Sequence, residues 1–168
     1  MKKVLFILLI LVVQISAAQD KTFVTASSPD GKYSIAHLKG WATSFGSGNI
    51  LVGLKASGNS SENIPIQLAL SKEDNIASTL TLDDFAARNF ILIKNMLNAN
   101  FTEKGTVTIS GTEAQVIKYT YEINERAHKG LVYFFIQNGA AYQLVIHSAE
   151  GDFSEPVFKQ IAESLTIK

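Results

Sequence analysis

The run Leu131-Val132-Tyr133-Phe134-Phe135-Ile136 constrains this chain more than any other segment. If it is a strand, its six consecutive apolar side chains point alternately to opposite faces, so both faces of the surrounding sheet need cover from other elements. Asn138-Gly139 follows directly. Both residues tolerate positive φ, and a two-residue type I′ turn at this point sends the chain back through Ala141 to His147. A central antiparallel hairpin, buried on both sides, is therefore the element around which the rest must be arranged.

Two segments have the helical period needed to supply that cover. Thr81-Leu82-Asp83-Asp84 offers an N-cap hydroxyl followed by acids in the first turn. Apolar residues then recur at Leu82, Phe85, Phe90, Ile93, Met96 and Leu97, which predicts a long helix from Leu82 to Asn98. Near the end, Ser154 stands in a cap position, Pro156 falls in the first turn, and Val157, Phe158, Ile161 and Leu165 form a second apolar stripe. Strands are predicted over Lys21 to Ser27, Tyr33 to Ala36, Ile50 to Lys55, Ile64 to Leu70, Thr106 to Ile109 and Thr112 to Ile123. Ser28-Pro29-Asp30-Gly31 is turn chemistry, and Arg126 to Gly130 is assigned to the turn after Ile123. Leu38 to Asn49 carries Gly40, Gly46 and Gly48 with the only tryptophan, and reads as a structured loop. The order is four β segments, a helix, four β segments and a helix: an α+β chain with an antiparallel sheet covered on both faces.

The first residues read differently. Met1-Lys2-Lys3 precedes an unbroken apolar run from Val4 to Val13, then Ser16 and Ala18 before Gln19. A run of ten is too short to cross a bilayer, and the basic start, apolar centre and small-x-small ending fit a secretory signal peptide cleaved after Ala18. The expected arrangement is residues 1–18 as signal peptide and 19–168 as one exported domain, periplasmic or secreted. The chain has 15 basic and 15 acidic side chains, and loss of Lys2 and Lys3 leaves 13 against 15, a formal charge of −2. No basic run is present to neutralise phosphates, so nucleic acid is not expected as a partner. With zero cysteines there is no disulfide framework, thiolate metal site or cysteine nucleophile.

In their order along the chain, several motifs carry a family likeness. These are Tyr33-Ser34-Ile35 followed by Trp41, Thr81-Leu82-Asp83-Asp84, and Ile109-Ser110-Gly111-Thr112-Glu113-Ala114. They continue with Tyr133-Phe134-Phe135, Gly139-Ala140-Ala141-Tyr142-Gln143-Leu144, and the ending Phe153 to Leu165. In these the chain resembles the Mog1/PsbP-like family over nearly all of residues 19–168. The resemblance implies an α-β-α sandwich around a central antiparallel sheet, and action by binding partners rather than by catalysis. The chain departs from the family pattern before Trp41, where Leu38-Lys39-Gly40 lacks a proline.

The residues themselves point the same way on chemistry. His37, His128 and His147 are too far apart in sequence for a metal-ligand pair, so no metal and no cofactor are expected. Gly46-Ser47-Gly48 has the wrong spacing for a nucleophile elbow and lacks the continuation of a phosphate loop. Asp83 and Asp84 read as helix-start acids, and Glu150, Asp152 and Glu155 as a solvated turn or a weak calcium site. Trp41 and Phe45 are candidate recognition aromatics, the alternative being packing over a sheet edge. Tyr119, Tyr121, Tyr133 and Tyr142 are expected to line one sheet face. The leading expectation is a non-enzymatic binding or accessory domain that engages a protein or envelope component through the Trp41 and Ser57 to Asn63 loops. The alternatives are a small-molecule carrier, with a pocket between sheet and long helix lined by Phe85, Tyr133 and Tyr142, and a hydrolase with an unrecognised site.

Overall fold

A computed structural model describes residues 22–47, 50–56 and 66–168. The predicted signal peptide and the Ser57 to Asn63 loop lie outside the described residues. Among the described residues, ten strands and two α-helices follow one another as β1 (Phe23–Ser27), β2 (Tyr33–Leu38), β3 (Ala42–Ser47), β4 (Ile50–Lys55), β5 (Gln67–Glu73), α1 (Leu82–Leu97), β6 (Asn100–Ile109), β7 (Thr112–Ile123), β8 (Arg126–Gln137), β9 (Ala140–Ala149), α2 (Glu155–Glu163) and β10 (Thr166–Ile167). A seven-stranded antiparallel sheet has the order β3-β4-β5-β9-β8-β7-β6, and a smaller sheet has the order β1-β2-β10.

The β8–β9 hairpin is the buried pair that the sequence demands. Leu131 to Phe135 have no significant exposure, and Asn138 and Gly139 turn the chain at φ 52° and 72°. The alternation along β8 separates two cores. Leu131, Tyr133 and Phe135 face α2 with Val157, Phe158 and Ile161, whereas Val132 and Phe134 face α1 with Phe85, Ala86 and Ile93. Each large apolar side chain taken fully out of water contributes roughly 1.5–3 kcal/mol, so neither helix can detach without exposing a core. The arrangement is the expected α-β-α sandwich, with the small sheet beside α2 on the second face.

The ends of α1 follow from local chemistry. The Thr81 Oγ1 accepts from the Asp84 N–H at 3.1 Å, and Asn98 closes the helix in the left-handed region at φ 51°, its N–H donating to the Lys94 carbonyl. At α2, Ser154 occupies the N-cap but its side chain caps nothing; the Phe158 N–H donates instead to the Ser154 carbonyl at 3.0 Å. Lys118 on β7 ties this helix down, reaching Glu155 at 2.6 Å and Glu103 on β6 at 3.0 Å.

Four sequence expectations are corrected. The glycine-rich segment after Leu38 is not all loop: β3 pairs with β4 from Ala42↔Lys55 to Ser47↔Ile50. It is a sheet edge with largely exposed side chains, so it shows no apolar alternation to read. The strand β6 begins at Asn100 rather than Thr106, because its polar first half is held by backbone pairing to β7. The turn after β7 is Asn124-Glu125, at φ 50° and 61°, so that Arg126 to Gly130 already lie in β8. Finally, the four tyrosines do not share a face: Tyr119 and Tyr121 belong to the α1 side, Tyr133 and Tyr142 to the α2 side.

Candidate functional site

Alternation along a strand decides which residues can meet, and it divides the expected site residues. Tyr133 and Tyr142 lie in the core beneath α2, with Tyr142 stacked on Phe135 at 5.1 Å between ring centroids. Phe85 lies across the sheet, packed edge-on against Phe134. The expected pocket lined by Phe85, Tyr133 and Tyr142 therefore does not form, because β8 and β9 stand between its walls. Trp41 and Phe45 are half-buried and pack against the α2-side core, Trp41 just before β3 and Phe45 within it. Burial raises the pKa of the Tyr133 phenol above its ordinary value, with Glu163 and Glu155 adding to the effect, so this residue is a neutral core group.

A concavity does exist between the long helix and the sheet, nearer the β6 edge. It has a volume of about 420 Å³. Ala86, Ala87 and Phe90 of α1, Phe101 of β6 and Ile117 of β7 give it an apolar lining; Asp83, Lys104 and Gln115 bring polar groups to it. Phe101 is in this position because it pairs with Tyr119 across the β6–β7 ladder just before a bulge, where Glu103 next takes up the register. Its ring packs on Phe90 above and leans on Tyr119 below. Gln115 is only 6% exposed, and its Nε2 donates to Asp83 Oδ1. That bond, then the Lys104 ammonium at 3.4 Å, holds the Asp83 carboxyl below the usual carboxylate range.

The outer face of α1 continues this apolar surface. Ile91, Leu92 and Met96 are 54%, 53% and 81% exposed, and Ile91 lies one helical turn beyond the groove residue Ala87. Met96 belongs to the apolar stripe read from the sequence, but the helix rotates it outward and buries Ala86 instead. Sequence reasoning does not single out Phe101, Gln115 or Lys104 as site residues. The one signal for any of them is the alternation of β7, which places Gln115 on the face of Ile117 and Tyr119.

Further along the same face, Tyr119, Tyr121 and His128 stack in succession, with centroids 5.8 and 5.0 Å apart. The Tyr121 hydroxyl meets His147 Nδ1 at 2.6 Å. Burial pushes the Tyr121 phenol up to about 12, while burial and the neighbouring His128 lower the His147 pKa. His147 also borders an open concavity of about 480 Å³ over β3, β4, β5 and β9, where Lys55 is the one charged lining residue among those described. Two of the three acids considered for calcium are taken by lysines: Glu150 by Lys129 at 2.6 Å and Glu155 by Lys118 and Lys159. Among the described residues no group of three or more metal-ligating side chains converges.

No protein-family model matches the sequence, and no curated protein does. Solved structures do match. The cyanobacterial PsbP (CyanoP) from Synechocystis sp. PCC 6803 aligns over 94% of this chain and 99% of its own, at 14% identity and a TM-score of 0.64. LpqN, involved in cell envelope biogenesis of Mycobacterium tuberculosis, aligns over 88% of this chain and 91% of its own, at 14% identity and the same score of 0.64. The Saccharomyces cerevisiae Ran-binding protein Mog1p aligns over 88% and 96%, at 6% identity and a TM-score of 0.61.

Proposed function

We propose that this chain, which has the Mog1/PsbP-like fold, is an exported, non-enzymatic accessory domain that binds a protein partner through the outer face of α1 and the groove beside β6. One observation carries the reading. Ile91, Leu92 and Met96 leave an apolar face on the long helix, next to an open apolar groove, where a helix of this fold needs only its inner stripe to hold the core. Structural neighbours support it in kind, since Mog1p is Ran-binding and LpqN is involved in cell envelope biogenesis. The signal-peptide pattern of residues 1–18 supports the export part of this reading.

The test is cross-linked capture from envelope extract with the unaltered protein, a Leu92→Asp/Met96→Asp variant and a Trp41→Ala variant. Loss of the captured partner in the α1 variant alone, with cross-links on α1, is the expected result. Loss in the Trp41 variant alone would move the surface to Trp41 and Phe45. A second reading, carriage of a small molecule, is favoured by the concavity holding Lys55 and His147; native mass spectrometry showing a co-purifying compound lost on Lys55→Ala would establish it.

A further inference from the structure

The long helix covers only part of its face of the large sheet. It packs on β7 and β8, and over β3, β4, β5 and β9 the described residues leave the concavity of about 480 Å³. The register decides which side chains stand in it. Lys55 pairs with Gln67, Gln67 with His147, His147 with Gly130 and Gly130 with Tyr119, one row running from β4 to β7. Directly opposed residues project to the same face, and Tyr119 belongs to the core beneath α1. Lys55, Gln67 and His147 therefore stand side by side on the part of that face the helix leaves open, with about 4.8 Å between neighbouring strands.

Tyr121 fixes what His147 offers. Burial keeps the Tyr121 phenol protonated up to about 12, so its O–H donates to His147 Nδ1 at 2.6 Å, and burial also favours the neutral imidazole. The single ring proton is then on Nε2. The two ring nitrogens project to opposite sides, so the Nε2–H is directed away from β7, toward the β5 side on which His147 borders the concavity. Among the described residues it has no partner, and unlike both nitrogens of His128 it is not sealed within the core. Lys55 supplies the only charge among the described lining residues, and no described acid pairs with it.

These donors select the head of a ligand. A cation is repelled by Lys55. A phosphate monoester brings about −1.5 to −2 charges against a single ammonium, whereas a carboxylate brings one charge and two oxygens that accept from adjacent donors. The body of the ligand must be apolar. The next row of the same face is Gly53, Ala69 and Val145, whose small size makes the surface concave, and Ile50, 41% exposed, lines it as well.

We propose that this concavity binds an amphipathic monocarboxylate, its head on the Lys55 ammonium, the Gln67 amide and the His147 Nε2–H, and its aliphatic body across Gly53, Ala69 and Val145. This rests on the small-molecule reading of the concavity, is separate from the partner surface on α1, and names the class of ligand carried.

The test is an NMR titration of the ¹⁵N-labelled protein with octanoate, 1-octanol, octylammonium, octyl phosphate and acetate. Octanoate should shift the Gly53, Ala69 and Val145 amides and bind about 10- to 100-fold more tightly than octanol or octylammonium. Acetate should bind more than about tenfold more weakly than octanoate, because two buried methylenes already supply that factor. Lys55→Gln should weaken octanoate by about tenfold while leaving octanol unchanged, and Lys55→Arg should restore it. Ala69→Leu, which fills the concavity, should abolish the shifts with every probe while the rest of the spectrum is preserved. Equal binding of octanoate and octanol, tighter binding of octyl phosphate, an octanoate affinity unmoved by Lys55→Gln, or shifts confined to other residues would overturn the proposal. If one of these occurs while a co-purifying compound is still lost on Lys55→Ala, the concavity carries a ligand of another class. If no compound co-purifies either, both readings are wrong.

Discussion

Gly130 stands directly opposite Tyr119 in the β7–β8 register, and the absence of a side chain there makes room for the phenol ring. A β-carbon built on Gly130 would lie 2.5 Å from Tyr119 Oη and 2.6 Å from Cε1, and closer still to Cζ. Carbon contacts are comfortable at about 3.5–4.0 Å, so the ring would have to move by roughly 1 Å. It has nowhere to go. Tyr121 is stacked beside it at 5.8 Å and Phe101 leans over it at 6.5 Å. Replacing glycine by alanine in a strand gains about 0.5–1 kcal/mol through the unfolded chain, whereas overpacking a filled core costs about 1–3 kcal/mol. Contacts this short put the overpacking cost at the upper end of that range, so Gly130→Ala is expected to lose about 2 kcal/mol net, seen as a fall of roughly 1 M in the urea midpoint. Tyr119→Ala alone should cost about 3–5 kcal/mol. In the double variant the new methyl occupies space that the ring has left, and the combined loss should fall short of the sum by at least about 1 kcal/mol. The effect extends to the groove, because Tyr119 supports Phe101 from below. A Gly130→Ala midpoint within about 0.3 M of the unaltered protein, or additive losses in the double variant, would refute this account.

Acidity provides another test. The His147 pKa is lowered by burial first and by His128 second, so the folded chain holds that proton less firmly than the unfolded one. The contribution of His147 is fully present above its unfolded value, about 6.5, and is lost as pH falls toward and through the lower folded value. The melting temperature should decline between about pH 7 and pH 5, and His147→Gln should flatten that decline; an imidazole NMR midpoint at or above about 6.5 would contradict the cause. Export makes a prediction of its own: secreted in a bacterial host, the protein should have the intact mass of a chain beginning at Gln19, and recovery of the whole 168-residue chain would refute cleavage after Ala18.

Features governed by near neighbours are legible in the sequence itself. The Thr81 cap, the end of α1 at Asn98, the Asn138-Gly139 turn and the two-sided burial of Leu131 to Phe135 depend on residues within a few positions of one another. Burial on both faces is enough to require cover on both sides of the sheet, and hence the sandwich. The turn at Asn124-Glu125 escapes sequence reasoning because Glu125 adopts positive φ without a glycine to announce it. The strand β3 and the first half of β6 escape it because edge strands are held by backbone pairing, which leaves no mark on side-chain pattern.

The candidate site belongs almost entirely to the second category. Tyr133 and Tyr142 look like neighbours of Phe85 because all are large aromatics near the middle of the fold, yet strand alternation puts them on the other side of the sheet. The bulge after Phe101, the rotation of α1 that exposes Met96, and the turning of the Gln115 amide toward Asp83 depend on contacts between residues far apart in the chain. Sequence alone establishes that both faces of the sheet must be covered, because that follows from local apolar pattern. Where the cover leaves the face open, and which polar groups there lack a partner, follows only from how the covering helix sits on the strands.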